Sequence, residues 1–330
     1  MKKSNYGLIA TGILMLFFSC KKTEIDDPIL DDPIEINPAD IADNPEGIDT
    51  YALSSFFTDN IAEATQHFTT SAESFIYITG EKGTILLLNS NQLVDSDGNL
   101  VTGLVDIELI EIDKKSEIIM LNKATTGINQ YGQHETLISD GEFYVSISQN
   151  GEELTTLSPM MLYSFLAPYD PDMRKFVNTS EEEDLLWEMA EDSLLNEDGE
   201  FEGTGAFEIL PGEWGWTNID KFYNDPSPQT EIYAELPEGF NNTNTEVFIS
   251  YDGESNALAQ FDVWEDGRFT EHYGLIPIGL DVHFIAVRMI GGELNYSIQG
   301  ATIIEDHVQL INDFMPINED DLVDLIDELP

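Results

Sequence analysis

The sequence predicts a mainly β protein: two antiparallel β-sandwich (Ig-like) domains joined by a short helical connector, after a disordered stalk. Three observations carry this. Asp-Gly or Asn-Gly pairs recur at Asp97-Gly98, Asp140-Gly141, Asn150-Gly151, Asp198-Gly199, Asp252-Gly253 and Asp266-Gly267, and they supply the positive φ angles of tight hairpin turns. Apolar residues alternate with polar ones between these turns: Val105, Ile107 and Leu109 with Asp106 and Glu108, and Phe143, Val145 and Ile147 with Tyr144, Ser146 and Ser148. Runs at 247–251, 261–264 and 294–298 behave similarly. Helical periodicity, by contrast, is rare.

Composition bounds the rest. The 330 residues are 42% hydrophobic and 10% aromatic, too apolar for a chain disordered throughout and long enough for about two domains. Lys and Arg number 13 against 64 Asp and Glu, a formal charge of −51. Such a chain repels nucleic acid and anionic lipid surfaces. A single Cys excludes an internal disulfide, a thiolate zinc site and an iron–sulfur cluster. The five histidines, His67, His134, His272, His283 and His307, share no short metal spacing.

At the amino terminus, Lys2 and Lys3 precede an uncharged apolar run from Gly7 to Phe18. That run is shorter than the roughly 20 residues a membrane-spanning helix needs, and it fits a signal-peptide core. It ends Leu16-Phe17-Phe18-Ser19-Cys20, and Cys20 is the sole cysteine. The stretch resembles a bacterial lipoprotein signal, with Phe17 where that pattern usually carries Leu. The resemblance implies that residues 1–19 are removed and that Cys20 receives the lipid. Lys21-Lys22-Thr23-Glu24-Ile25-Asp26-Asp27 resembles the surface-export signal of Bacteroidota lipoproteins. The expected location is therefore the outer membrane, lipid-anchored and exposed at the cell surface.

Residues 20–50 read as an acidic, Pro-rich stalk, with Asp26-Asp27-Pro28-Ile29 echoed at Asp31-Asp32-Pro33-Ile34. Proline blocks helix and ladder, and like charges repel, so this segment is expected to be extended. A first sandwich is placed at 51–178, with a short helix over Asn60 to Gln66. Ser180-Glu181-Glu182-Glu183 reads as a capping box opening a helix from Asp184 to Leu195, with Leu185, Leu186, Met189 and Leu194 at helical spacing. This makes 179–200 the connector. A second sandwich occupies 201–315, and 316–330 forms an acidic terminal helix with acids at its start.

Several spaced motifs carry a family resemblance: Gly80-Glu81-Lys82-Gly83-Thr84, Asp95-Ser96-Asp97-Gly98-Asn99, Val101 to Ile107, Ile118 to Lys123, and Ser139 to Val145 with Gln149-Asn150-Gly151. Together they resemble a Bacteroidota outer-membrane lipoprotein family without assigned activity, whose first domain is similar to the β-sandwich of zonula-occludens and netrin-receptor proteins. Gly215-Trp216-Thr217-Asn218-Ile219-Asp220-Lys221-Phe222 resembles the family's second signature, with Ile219 in place of Cys and Lys221 in place of Arg. The resemblance implies a structural role for Gly215, Trp216, Asn218, Asp220 and Phe222, and it supplies no reaction.

Candidate chemistry is sparse. Asp95, Asp97, Asn99 and Asp106 have the one-three-five-twelve spacing of a Ca2+ loop, but Leu100 replaces the glycine at position six, and a hairpin turn explains the same residues. Trp214, Tyr223, Trp264 and Tyr273 could stack on a sugar or fill a core. No catalytic motif is present, and with 64 acids a pair suited to glycoside cleavage is uninformative. Asp192-Ser193-Leu194 matches a short O-glycosylation sequon, within the predicted helix. No cofactor is expected, and Ca2+ is carried only as a candidate at the 95–106 loop. The expected role is a non-catalytic binding or structural protein of the cell envelope, with the membrane and a glycan or envelope protein as partners. The alternatives are a carbohydrate-active enzyme or its glycan-binding module, and a subunit of an envelope assembly.

Overall fold

Alternation at 105–109 and 143–147 becomes two long paired strands, Leu104–Ile112 and His134–Gln149. Their inward residues Val105, Ile107, Leu109, Phe143, Val145 and Ile147 are fully buried. The structure is a computed structural model, which describes residues 50–165, 170–178, 185–194, 196–197, 205–271 and 274–330. It is mainly β, with several sheets. All described residues fall within one compact unit, Ile36–Pro330, and none of their helices is long and apolar enough to cross a membrane.

Two pairs of facing sheets enclose two cores. An eight-stranded sheet containing Leu104–Ile112, His134–Gln149 and Gly215–Phe222 faces a five-stranded sheet containing Ile76–Thr79, Ile85–Leu88 and Met160–Ser164. Val105, Phe143 and Ile219 from the first meet Ile76, Leu86, Leu162 and Phe207 from the second. Farther along the chain, a five-stranded sheet built on Thr245–Tyr251, Asp281–Ile290 and Glu293–Thr302 packs Val247, Ile249 and Phe284 against Ile232, Ala234 and Phe269 of a four-stranded sheet. A third core joins them. Ile110 and Ile112 from the first large sheet meet Phe248, Leu258 and Ile285 from the later one. Helices α1 (Thr50–Ala64), α2 (Lys115–Met120) and α3 (Glu319–Asp327) line this seam through Leu53, Phe57, Ile118, Ile119, Leu322 and Ile326.

The terminal helix forms where expected, with Asn318 as N-cap accepting from the Asp321 N–H at 2.9 Å and three acids in the first turn. The connector helix is a correction: Trp187–Leu194 is a strand, antiparallel to Arg174–Asn178 and parallel to Thr126–Ile128. A neighbouring sheet edge and a fully buried Trp187 override the local helical spacing. The sequon at 192–194 therefore lies at the end of a strand, and the capping box at 180–183 lies outside the described residues. Strands Gly205–Ile209 and Gly215–Phe222, placed in the second domain by sequence, pair with Met160–Ser164 and His134–Gln149 of the first. Pairing is not wholly antiparallel either: Ile232–Glu235 runs parallel to His307–Leu310. The early helix spans Thr50–Ala64 rather than a short stretch from Asn60, and Gln66 opens the next strand.

Most turn pairs behave as read. Asn150 and Gly151 have φ of 54° and 81°, and Asp266 and Gly267 have 51° and 80°, the paired positive values of a tight hairpin turn. Asp140-Gly141 is different. It lies inside the strand His134–Gln149, where Ile219 pairs with Gly141 and Asp220 with Ser139, leaving Asp140 as the extra residue of a bulge. Asp198-Gly199 lies outside the described residues.

The motif at 80–84 also gains a cause. Glu111, nearly buried, accepts hydrogen bonds from Gln66 Nε2 at 2.9 Å, Lys82 N at 3.0 Å and Thr84 N at 3.0 Å. A Cβ at Gly80 would collide with that carboxylate, standing 2.6 Å from Glu111 Cδ. Gly80→Ala is therefore expected to lower stability by about 1–3 kcal/mol in denaturant unfolding, by displacing a carboxylate fixed by three bonds. An unchanged midpoint would show that Glu111 moves freely.

Candidate functional site

The strand Gly215–Phe222 lies between His134–Gln149 and Arg174–Asn178, and both its faces are covered. Ile219 points into the first core. Trp216 and Phe222 point the other way, against Leu137, Phe176 and Trp187. The pairing closes on itself there: His134–Gln149, Gly215–Phe222, Arg174–Asn178, Trp187–Leu194 and Thr126–Ile128 each bond the next, and the last returns to the first. Gly127 permits that closure, since a Cβ would sit 2.8 Å from Leu137 Cδ1.

Period-two alternation puts Asn218 and Asp220 on the same face as Trp216 and Phe222. Both are 0% exposed, as is Glu142, the cross-strand partner of Asn218. Asn218 Nδ2 donates to Asp220 Oδ2 at 2.7 Å, and Ser139 Oγ donates to Asn218 Oδ1 at 2.8 Å. The N–H of Gly141 donates to Ser139 Oγ at 3.1 Å, tying the bulge to the network. Glu142 Oε1, Glu142 Oε2 and Asp220 Oδ1 have no hydrogen-bond partner. Lys123 Nζ stands 5.4 Å from the Trp216 ring centroid.

The electrostatics follow from burial. Desolvation pushes Glu142 well above the usual carboxylate range, with the Lys123 charge opposing. Desolvation does the same to Asp220, reinforced by the Glu142 charge. Asp140, at the bulge, is raised to about 6 by burial and by the Asp170 charge, against the pull of Lys221. Lys221, which stands where the resembled family carries Arg, pairs with Asp170 at 2.9 Å.

The Ca2+-spaced residues are not assembled. Asp95 Oδ1 accepts from the N–H of Asp97 at 3.0 Å and of Asn99 at 2.8 Å, and these turn hydrogen bonds hold its pKa below the ordinary value. Asp106 lies on the next strand and accepts from Thr69 Oγ1 at 2.9 Å. Among the described residues, no three His, Cys, Asp or Glu side chains are grouped to hold a metal, so Asp95, Asp97 and Asp106 do not converge.

Three of the candidate sugar platforms, Trp214, Tyr223 and Trp264, are half-buried and take part in packing. Trp214 lies against the first core, with its indole N–H donated to the Leu154 carbonyl. Tyr223 meets Tyr251 edge-on at 4.8 Å, and Trp264 meets Phe269 edge-on at 4.8 Å. Tyr273 and Cys20 lie outside the described residues. The chain matches no protein-family model and no curated protein.

Sequence reasoning missed Glu142 and Arg288. Glu142 enters the sequence reading only as one residue of the 139–145 motif, and its burial follows from the pairing with Gly215–Phe222. Arg288 is 4% exposed, its guanidinium 3.8 Å from the Phe240 ring centroid, with Nε and Nη1 unpartnered. Burial alone lowers its pKa to about 10. Arg288→Met keeps an apolar side chain against the Phe240 ring and removes the buried charge with its cation–π contact, so we expect a gain of about 1–3 kcal/mol in denaturant unfolding. A loss would show that cation–π attraction outweighs desolvation. Asn218→Ala strands the Asp220 and Ser139 oxygens and should cost about 2 kcal/mol or more. A loss below about 0.5 kcal/mol would mean that the network holds nothing.

Proposed function

We propose that the chain is a lipid-anchored, surface-exposed, non-catalytic binding or structural protein of the cell envelope, its Ig-like sandwich body carried on the acidic stalk. The anchoring half of this reading is supported by a basic start, a short apolar run and a sole cysteine placed directly after it. Two or more acyl chains on Cys20 would give attachment that one chain cannot.

The non-catalytic half is supported chiefly by one observation. The polar signature residues Asn218 and Asp220, with Glu142, are sealed at 0% exposure. A catalytic carboxylate must reach its substrate within hydrogen-bonding distance, and these face only protein. Trp214, Tyr223 and Trp264 are half-buried and pack against the cores, which supports the packing reading of these aromatics over a glycan platform.

Cys20→Ala should move the protein from membrane to soluble fractions; retention in the membrane would overturn the anchoring. On intact cells, external protease should remove the wild-type body, and full protection would refute surface exposure. Turnover on a glycan panel, abolished by one carboxylate change, would replace the non-catalytic reading with an enzymatic one.

A further inference from the structure

Three oxygens on the inner face of the closed strand ring, Glu142 Oε1, Glu142 Oε2 and Asp220 Oδ1, are buried without any hydrogen-bond partner. Buried polar atoms are almost always paired, and a carboxylate left bare in the interior is among the costliest exceptions. Here one bare carboxylate, Glu142, and one with a single unpartnered oxygen, Asp220, flank one carboxamide. Asn218 is the cross-strand partner of Glu142 and binds Asp220 two residues along its own strand, so all three side chains emerge on one face.

Protonation alone does not resolve this. A neutral carboxyl group still carries an O–H that needs an acceptor and a carbonyl that needs a donor, and no group hydrogen-bonds to Glu142. Nor does the nearby lysine resolve it. Lys123 lies over the Trp216 ring and leaves both Glu142 oxygens bare. A single cation bound between these side chains, in contrast, would satisfy all three oxygens at once.

We propose that Glu142, Asp220 and the carboxamide oxygen of Asn218 hold one Ca2+ ion on the inner face of this ring. The donors are all hard oxygens, with no His or Cys among them, which suits Ca2+ and disfavours Zn2+ or Cu2+. Asn218 Oδ1 accepts one hydrogen bond, from Ser139, and retains a lone pair for the ion. A bidentate Glu142, one Asp220 oxygen and Asn218 supply about four of the six to eight oxygens that Ca2+ takes in irregular geometry. Mg2+ demands a near-ideal octahedron, which three side chains on one sheet face do not offer. The net charge of −51 concentrates divalent cations around the molecule. This site is distinct from the exposed turn at Asp95 and is independent of the anchoring reading.

The test uses the full mature chain in detergent, stripped with chelator and then titrated with Ca2+ at physiological salt. We expect a saturable rise in melting temperature, with one ion per chain by elemental analysis. Tb3+ in place of Ca2+ should show luminescence sensitised by Trp216, which shares a strand face with Asn218 two residues away. Glu142→Gln and Asp220→Asn should abolish both the rise and the luminescence, whereas Asp97→Asn at the exposed turn should keep them. Undiminished Ca2+ responses in Glu142→Gln and Asp220→Asn would overturn the proposal in favour of diffuse surface binding. A wild-type chain that takes up no ion and shows no shift would overturn it whatever the variants do.

Discussion

Asn218 accepts a hydrogen bond from Ser139 and gives one to Asp220, in a place with no exposure to solvent. Around that carboxamide the strand Gly215–Phe222 is covered on both faces, by the first sandwich core through Ile219 and by the closed ring through Trp216 and Phe222. A strand buried on both sides allows no slip in register, since a one-residue shift would drive Asn218 and Asp220 into the apolar core. The bulge at Asp140 lets Ser139 and Glu142 reach the same face as Asn218.

The seam beside this strand is equally cooperative. Ile110, Ile112, Phe248, Leu258 and Ile285 form a core shared by two sheets from different parts of the chain. Thr125 stitches it further: its Oγ1 donates to the Leu258 carbonyl at 2.8 Å and accepts from the Leu258 N–H at 3.1 Å. Asn256 Nδ2 donates to the main-chain carbonyls of Asp113 at 3.0 Å and Ser139 at 3.2 Å. The regions that the sequence divides into two domains therefore share a core and hydrogen bonds. Asp97 and Asp106 sit at an exposed turn and an exposed strand position, in contrast to the buried Glu111, Glu142 and Asp220, while Lys82, Lys114, Lys175 and Lys221 each pair with a carboxylate.

Much of the fold was legible in residue order because it rests on local chemistry. Alternation at 105–109 and 143–147, the hairpin turns at 150–151 and 266–267, and the acidic start of the terminal helix need only neighbouring residues to be read. What escaped depends on distant partners. Leu185, Leu186, Met189 and Leu194 have helical spacing, yet the edge of Arg174–Asn178 takes 187–194 as a strand. Asp140-Gly141 has turn chemistry, yet it forms a bulge because the chain continues pairing past it. At the candidate site, the motif around Asn218 was visible, but the burial of Glu142 opposite it was not, because its cause is a strand that follows much later in the chain.

Native-state hydrogen exchange across the full chain tests the central claim, that the closed ring and the shared seam bind the described strands into one cooperative unit. Amides of Gly215–Phe222 and of Asp281–Ile290 should exchange only through global unfolding, with the same free energy and the same denaturant dependence. Exchange of 281–290 through a separate, cheaper opening while 215–222 stays protected would contradict it, and would restore two independent domains.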